Sequence, residues 1–272
     1  MMEENGPNEL TQKRLLEIVD LAEKAGEAIM VIYRKDDLGT TYKADHSPLT
    51  EADLAAHHLI IAGLKALTPT LPALSEESKN MSYALRREWR KYWLIDPLDG
   101  TKEFVKRRDA FTVNIALIDK GVPVLGVVHA PALDTTYYAG SGLGAFKKDA
   151  GENAVQISVS EAPGAVLKIA ASLSHGGPEL EVFLQKIGPH ELVRMGSSLK
   201  LCLVAEGAAD LYPRFGRTME WDTAAAHAIV SEAGGSVTDE AGKPLQYNKA
   251  DLANPNFFVR GNPEMPLEKF LF

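Results

Sequence analysis

The sequence predicts a mixed fold of the α/β (α+β) class, with an N-terminal half over residues 1–160 and a C-terminal half over residues 161–272. Three patterns predict this class. Apolar residues recur at helical spacing near the N-terminus, β-rich segments follow one another over residues 111–148, and strand and helix patterns alternate after about residue 163. A chain of 272 residues can form one large domain or two closely joined halves, and it can bury a sizeable core.

Two helices and a short strand are predicted first. The first helix covers residues 10–34, where apolar residues recur every three or four positions, and a polar loop follows over residues 35–48. Residues 50–53 are typical of a helix N-terminus, so a second helix is expected to run to about residue 67. A short apolar strand is expected at residues 73–74.

The β-rich region predicts an antiparallel meander, because turn residues separate its segments. Its strands are expected at residues 111–118, 122–128, 135–139 and 145–148. Glycines at positions 140, 142 and 144 lack the spacing of a dinucleotide-binding loop, and we interpret them as hairpin turn residues. The alternating strands and helices of the C-terminal half are expected at residues 166–172, 180–187, 192–195, 197–206, 209–212 and 222–233.

Composition excludes several classes of protein. The 29 basic and 37 acidic residues give a net charge of −8, which opposes non-specific binding to nucleic acid or to an anionic membrane surface. No apolar run is long enough to span a bilayer, and the acidic, polar N-terminus is not typical of a signal peptide. The single cysteine, Cys202, excludes an internal disulfide and suits a reducing compartment, so a cytoplasmic location is expected. The apolar residues around Cys202 favour a buried, inert thiol.

Residues 93–104, WLIDPLDGTKEF, carry the most informative pattern. An apolar run is expected to form a strand that ends at Asp96, Pro97 then forces a turn, and Asp99 follows just before a Gly-Thr pair. Two carboxylates are thereby expected at one sheet edge, which is the arrangement that hard divalent cations such as Mg²⁺ prefer. The sequence therefore predicts metal-assisted chemistry on a phosphate.

Two further acids belong to the same hypothesis: Glu76 follows a short strand, and Asp222 opens a helix rich in small residues. Each acid alone is explained by a turn or a helix N-cap. Together they would repel one another unless a cation holds them. Two other phosphate chemistries fail on spacing, because a phosphoaspartate phosphatase needs two aspartates one residue apart, and no P-loop string is present.

Three motifs in order resemble the lithium-sensitive, magnesium-dependent inositol monophosphatase superfamily: EES at residues 76–78, DPLDGT at residues 96–101 and WDTAA at residues 221–225. A closer resemblance, over nearly the whole chain, is to the CysQ-type 3′(2′),5′-bisphosphate nucleotidases. The segments that carry it are KADHSPLT at 43–50, DGTKEF at 99–104, SH at 174–175, GSSLK at 196–200 and LYPRFG at 211–216. The resemblance implies the layered αβαβα sandwich of the sugar-phosphatase group, with the site between the two halves.

The resemblance also implies a magnesium site with two ions, and it leaves room for a third, weaker ion near Asp53 and Glu76. The implied metal ligands are Glu76, Asp96, the backbone carbonyl of Leu98, Asp99 and Asp222, with Asp96 bridging two ions. Two ions can clamp an ester phosphate and stabilise the entering and leaving oxygens. In the family, Thr101 and Asp53 polarise the attacking water, and Glu76 also contacts it. Asp53 is alternatively a capping carboxylate at the third position of its helix.

The implied substrate-binding residues are Glu76, Leu98, Asp99, Gly100, Thr101, Ser172, His175, Gly196, Lys200 and Asp222. Gly100 and Thr101 would present backbone N–H groups to the phosphate, although a turn with positive φ explains Gly100 equally well. Lys200 would meet the second phosphate of a bisphosphate, or it is a solvated helix lysine. His175 is alternatively a loop histidine without a ligand. Arg214 and Arg217 would meet the distal phosphate, or they form local ion pairs.

The implied activity is hydrolysis of the 3′-phosphate of adenosine 3′,5′-bisphosphate (PAP) to AMP and phosphate, with 3′-phosphoadenylyl sulfate (PAPS) as a second substrate. In the related enzymes this reaction serves sulfate assimilation. The nearest alternative is inositol monophosphatase or fructose bisphosphatase activity, since the fold does not set the substrate. A non-catalytic metal- or nucleotide-binding regulator is a second alternative, although every expected ligand position still carries its carboxylate.

No nucleic-acid partner is expected, because the chain is acidic and has no basic stripe. No stable protein partner is indicated, and the oligomeric state is left open. Some relatives associate peripherally with the inner membrane, so the resemblance also implies peripheral membrane association beside the cytoplasmic location.

Overall fold

The structure, a computed structural model, describes residues 11–42, 48–78, 81–160, 164–173 and 177–266. Within these ranges the helices are α1 (Gln12–Tyr33), α2 (Glu51–Leu67), α3 (Tyr83–Arg86), α4 (Thr101–Val105), α5 (Gly177–Ile187), α6 (Leu199–Ala205) and α7 (Glu220–Glu232). The strands are β1 (Thr41–Tyr42), β2 (Pro48–Leu49), β3 (Ala73–Ser75), β4 (Lys91–Asp99), β5 (Thr112–Asp119), β6 (Val122–Ala130), β7 (Thr135–Gly140), β8 (Gly144–Lys148), β9 (Val155–Ile157), β10 (Leu167–Ser172), β11 (His190–Met195), β12 (Leu211–Arg214), β13 (Ser236–Asp239) and β14 (Phe257–Arg260). The predicted substrate residue His175 lies outside the described residues.

Helices α1 and α2 form the first layer. The Thr11 side chain caps α1 by accepting a hydrogen bond from the backbone N–H of Arg14 at 3.1 Å. The apolar faces of both helices pack on one face of a seven-stranded sheet, where they bury Trp93 and Ile95 of β4. The two helices confirm the helical periodicity seen in the sequence.

The seven-stranded sheet has the order β3-β4-β5-β6-β7-β8-β9. Strand β3 runs parallel to β4, and every later neighbour is antiparallel, which confirms the predicted meander. Gly142 and Gly144 have positive φ at the turn between β7 and β8, so their interpretation as hairpin residues is also confirmed.

Helices α6 and α7 cover the other face of this sheet. Tyr92 and Leu94 alternate with the residues that face α1 and α2, and they join the core shared with α6 and α7. Helix α7 comes so close to β6 that a Cβ atom added at Gly126 would lie 2.0 Å from the backbone oxygen of Ala225. This close approach explains the small residues at the start of α7.

The second sheet has five strands in the order β11-β10-β12-β14-β13. Strand β10 is parallel to β11 and β12, whereas β14 is antiparallel to β12 and β13. Ile169, Leu211 and Phe258 pack with α5 on one face, and the neighbouring Ala170 and Tyr212 join the core around α6 and α7. The layers are therefore helix, sheet, helix, sheet, helix, and the αβαβα sandwich is confirmed.

Strand β4 differs from its prediction. It was expected to end at Asp96, but its pairing with β5 continues to Asp99 through a register shift. Pro97 has no N–H group to donate to the ladder, so a bulge accommodates it and pairing resumes where Asp99 faces Thr112. The proline interrupts the ladder without ending the strand.

The strands of the two sheets are separate in sequence, one set within residues 73–157 and the other within residues 167–260. Helix α7 follows β12 of the second sheet but packs against the first sheet. A division of the chain into halves at residue 160 therefore stays a prediction. Among the described helices, none is both long enough and apolar enough to cross a membrane.

Candidate active site

Three carboxylates meet where β4 and α7 approach each other. Asp96, Asp99 and Asp222 each offer one oxygen, and these atoms all lie within 4.8 Å of one another. Residues three apart in a regular strand point to opposite faces, so the extra residue in the β4 bulge is what allows Asp96 and Asp99 to converge. The start of α7 fixes the Asp222 side chain, because one of its carboxylate oxygens accepts a hydrogen bond from the Met219 backbone N–H at 2.8 Å.

The electrostatics of these three acids are unfavourable in the absence of a cation. Burial raises the pKa of Asp96 well above its usual value, and the negative charges of Glu76, Asp99 and Asp222 raise it further. Burial and the Asp99 charge likewise raise the pKa of Asp222. Burial raises the pKa of Asp99 to about 6, although the nearby Lys200 opposes that rise. A donor set made only of oxygens, crowded together and partly desolvated, fits a hard divalent cation.

Glu76 and Leu98 lie on the wall of the same cavity, which has a volume of about 330 Å³ and also includes Asp96, Asp99 and Asp222. We call it the metal-side cavity. The Glu76 backbone N–H donates to Ile95 at 3.0 Å, which sets Glu76 beside the end of β4. Glu76 is not one of the three acids that lie closest together.

Asp53 acts as a cap and also reaches the site, so the two interpretations of this residue are compatible. The backbone N–H and the hydroxyl of Thr50 donate to Asp53 Oδ2 at 2.7 and 2.6 Å. The other oxygen, Oδ1, lies 3.4 Å from the hydroxyl of Thr101, which is also 3.2 Å from the Leu98 carbonyl. Burial raises the pKa of Asp53 to about 6, although the Thr50 hydrogen bonds oppose that rise.

Gly100 is required by its conformation and by its neighbour. Its φ of +90° lies in the left-handed region, and it precedes the short helix α4. A Cβ atom added there would lie 2.2 Å from the Ser197 hydroxyl oxygen. The turn with positive φ is therefore confirmed, and the glycine also lets the 197–198 turn approach β4.

Ser197 and Ser198 position Asp99, a role that their place in the GSSLK segment did not predict. The Ser198 backbone N–H donates to Asp99 Oδ2 at 2.7 Å. The Ser197 hydroxyl lies 2.9 Å from the carbonyl oxygens of both Asp99 and Ala110, and Ser197 has a φ of +50°. The only signal in the sequence is a Gly-Ser-Ser string before an apolar helix, and such a string does not indicate which distant carboxylate it contacts.

Lys200 is not a solvated lysine, so that alternative is wrong. Its side chain is only 6% exposed, and Nζ donates to the Ser197 carbonyl at 2.5 Å. Nζ also lies 5.5 Å from the centre of the Tyr212 ring. Burial lowers the pKa of Lys200 to about 8, and the Asp99 carboxylate opposes that lowering.

A second cavity, of about 340 Å³, adjoins the first. It includes the predicted residues Ser172, Gly196 and Lys200, together with Arg214, and we call it the substrate-side cavity. The two cavities share five residues, namely Asp99, Gly100, Lys102, Glu103 and Asp222. Arg217 lies on the metal-side wall. In the part of the chain that the structure describes, neither Arg214 nor Arg217 forms an ion pair, so the local ion-pair alternative has no support there.

Comparisons with known proteins agree with one another. The family model described as the inositol monophosphatase family matches residues 11–269. The 3′(2′),5′-bisphosphate nucleotidase CysQ of Escherichia coli K12 is 50% identical over 245 residues, which cover 89% of this chain and 98% of that relative.

Solved structures give the same result. CysQ of Bacteroides thetaiotaomicron, described as a bacterial member of the inositol monophosphatase family, is 44% identical with a TM-score of 0.82, and the match covers 92% of this chain and 97% of that one. The IMPase of Thermotoga maritima is 30% identical with a TM-score of 0.75, over 93% of both chains.

Proposed function

The chain belongs to the inositol monophosphatase family, and we propose that it is a Mg²⁺-dependent 3′(2′),5′-bisphosphate nucleotidase. It hydrolyses the 3′-phosphate of PAP to give AMP and phosphate, and PAPS is a second substrate. The observation that carries the proposal is the junction of an acidic cavity with a cavity that contains Lys200 and Arg214. A phosphate can be held on the acidic side through cations, while the rest of an anionic substrate extends towards Lys200 and Arg214.

The proposed metal ligands are Glu76, Asp96, the Leu98 carbonyl, Asp99 and Asp222. Their oxygens fit Mg²⁺, which accepts carboxylate and carbonyl ligands and retains some of its water. When bound, Mg²⁺ supplies charge neutralisation for the phosphate and makes water easier to ionise. Two ions, with a third near Asp53 and Glu76, form part of the proposal.

Thr101 and Asp53 are proposed to direct the attacking water. Asp53 Oδ2 is fixed by Thr50, which leaves Oδ1 to accept the Thr101 hydroxyl proton. The oxygen of Thr101 can then accept a proton from the water. The water oxygen attacks phosphorus, the bond between phosphorus and O3′ breaks, and O3′ takes a proton from solvent.

The remaining residues bind the substrate in this proposal. The backbone N–H groups of Gly100 and Thr101 lie at the start of α4, where the peptide dipoles present their positive end. Ser172, Gly196 and Lys200 line the cavity where the nucleoside is expected. His175 stays a prediction.

A substrate panel tests the proposal. Phosphate release is measured from PAP, inositol 1-phosphate and fructose 1,6-bisphosphate, each with Mg²⁺, with EDTA, and with Mg²⁺ plus Li⁺. We expect PAP to give the highest kcat/KM, EDTA to abolish turnover, and Li⁺ to inhibit it.

The outcomes separate the parts of the proposal. A preference for inositol 1-phosphate or fructose 1,6-bisphosphate would overturn the nucleotide assignment and leave a metal-dependent phosphatase, an alternative to which the IMPase of Thermotoga maritima lends weight. Full activity in EDTA would overturn the role of the metal. A protein inactive on every substrate would favour the regulator alternative.

A further inference from the structure

Asn114 is a buried residue of β5 that the proposed mechanism does not use. Its side chain is 1% exposed, and the ladder between β4 and β5 pairs it with Asp96, just before the bulge shifts the register. Side chains alternate along a strand, so Asp96 lies on the same face of the sheet as Leu94, which belongs to the core shared with α6 and α7. Asn114 and Asp96 therefore stand side by side on the face that carries the metal-side acids.

The carbonyl end of the Asn114 side chain belongs to a buried hydrogen-bond network. Asn114 Oδ1 accepts the Ser198 hydroxyl at 2.8 Å, and the Ser198 hydroxyl oxygen lies 2.9 Å from that of Thr112. Thr112 stands opposite Asp99 in the same ladder. The three residues of the network are at most 2% exposed, so bulk water does not compete for these bonds. Two neighbouring positions of β5 thus fix the Ser198 side chain.

Ser198 connects this network to a proposed metal ligand. Its backbone N–H donates to Asp99 Oδ2 at 2.7 Å, while its hydroxyl is held by the β5 side chains. Because the Ser198 side chain is fixed, its N–H group is also held in place relative to the carboxylate. Asn114 and Ser198 are 84 positions apart in the chain, so their contact ties the turn before α6 to the central sheet. Asn114 therefore acts on Asp99 through Ser198.

The amide nitrogen of Asn114 is a donor that the protein leaves unused. Nδ2 is buried and has no acceptor in the part of the chain that the structure describes. A buried amide N–H without an acceptor costs free energy, so such a group calls for a functional explanation. The facing side chain is Asp96, whose Oδ1 accepts the Leu98 backbone N–H at 3.1 Å. Side chains directly opposite in a ladder have Cβ atoms about 5 Å apart, which brings a carboxylate within reach of an amide donor.

The orientation of the Asn114 amide follows from the same neighbours. With Oδ1 accepting from Ser198, the amide NH2 group is left for the carboxylate of Asp96. The reversed amide would offer its NH2 group to Ser198 and turn a carbonyl oxygen towards the acids, where oxygen meets oxygen without a proton between them. The acidic surroundings therefore favour the orientation in which Asn114 serves both neighbours.

We propose that Asn114 is a positioning residue of the metal site, which orients Asp99 through Ser198 and orients Asp96 through its own amide N–H. This inference rests on the proposed function, because it concerns how tightly that site holds Mg²⁺. Groups that hydrogen-bond to metal ligands fix their orientation, and losing one typically costs about 10- to 100-fold in metal affinity. Asn114 itself contacts neither the ion nor the substrate in this proposal.

The affinity of the substrate-free protein for Mg²⁺ is the direct measurement, made by calorimetric titration after metal has been removed with EDTA. We expect Asn114→Leu to weaken Mg²⁺ binding about 10- to 100-fold, because both carboxylates lose a support. Ser198→Ala removes the hydroxyl but keeps the backbone N–H on Asp99, so it should weaken binding only about three- to tenfold. In the double variant, binding should stay within about twofold of Asn114→Leu, because both substitutions break the same contact.

Kinetics separate a positioning role from a loss of stability. In Asn114→Leu, the Mg²⁺ concentration for half-maximal turnover of PAP should rise by the same factor as the Kd for Mg²⁺. Saturating Mg²⁺ should restore kcat to within about threefold of the wild type, with the KM for PAP unchanged. Thr136→Val is the matched control, since Thr136 is 2% exposed and lies 2.9 Å from His129, on the face that packs against α1. It should lower the melting temperature and leave the affinity for Mg²⁺ unchanged.

The outcomes distinguish this inference from the proposed function. A wild-type protein that binds no Mg²⁺ would refute the metal site of the proposed function and, with it, this inference. A wild type that binds Mg²⁺, beside a folded Asn114→Leu with the same affinity, would overturn this inference alone. If Asn114→Leu does not fold, unchanged affinity in Ser198→Ala would overturn it. Losses that multiply in the double variant would overturn the path through Ser198.

Discussion

The metal-side cavity and the substrate-side cavity share Asp99 and Asp222, yet they are built in opposite ways. On the metal side, carboxylates crowd together and each raises the pKa of its neighbours. On the substrate side, Lys200 is already hydrogen-bonded to the Ser197 carbonyl. The first cavity needs a ligand to relieve repulsion, whereas the second is organised by the protein itself. The electrostatic repulsion is thus concentrated on the side where the chemistry is expected.

The largest effect is expected from Asp96→Asn on the metal side. Turnover should fall at least about a hundredfold, because the neutral amide weakens the proposed metal clamp. Thermal unfolding in EDTA should show no loss of stability, since the substitution removes a buried charge that four neighbouring acids repel. Kinetics with Mg²⁺ and melting curves in EDTA measure the two effects. Asp20→Asn, at an exposed ion pair with Lys24, is the control. Unchanged turnover in Asp96→Asn would remove the mechanism.

Gly100 lines both cavities, and its role can be tested with Gly100→Ala. The substitution should destabilise the protein by about 2–4 kcal/mol, because it adds backbone strain and a collision with Ser197. Gly142→Ala is the matched control, since its φ of +73° gives similar strain and its Cβ would meet nothing within 4 Å. Gly142→Ala should cost only about 1 kcal/mol. If urea unfolding showed equal losses of unfolding free energy in the two variants, the contact with Ser197 would not contribute to the destabilisation.

On the substrate side, Lys200→Gln should lower kcat/KM about tenfold for PAP and for adenosine 3′-monophosphate alike. The loss is common to both substrates because Lys200 acts through the turn that holds Asp99. Lys24→Gln, an exposed lysine, should have no effect. A loss confined to PAP would show instead that Lys200 contacts the second phosphate.

The smallest effect concerns the pH dependence of stability without metal. Burial raises the pKa of both Asp53 and Asp99 to about 6, so their protonated forms are favoured in the folded state. The stability that this provides is present below the unfolded-state pKa of about 4 and is lost as the pH rises through about 6. In EDTA, the free energy of unfolding should therefore fall as the pH rises from about 4.5 to about 7. Saturating Mg²⁺ should remove most of that fall, and a flat profile in EDTA would contradict the expectation.

The main secondary structure and the acidic motif could be predicted because their signals are local. The helical periodicity of α1 and the turn residues of the meander are visible in the sequence, and the structure confirms both. The end of β4 was predicted wrongly, since Pro97 is equally typical of a turn and of a bulge, and only pairing with β5 distinguishes them. The solvated alternative for Lys200 was open for the same reason, because burial depends on what packs over a residue.

The sequence by itself determined the acidic side chains, the helical and strand periods and the family, because these depend on residue type and short spacing. Tertiary structure decided that the Ser198 backbone N–H holds the Asp99 side chain, and that Asp53 both caps α2 and accepts a hydrogen bond from Thr101. It also decided that the buried Nε of Arg214 has no acceptor among the described residues. Each of these facts joins segments far apart in the chain or depends on how the backbone turns in space. Local sequence patterns cannot predict such contacts.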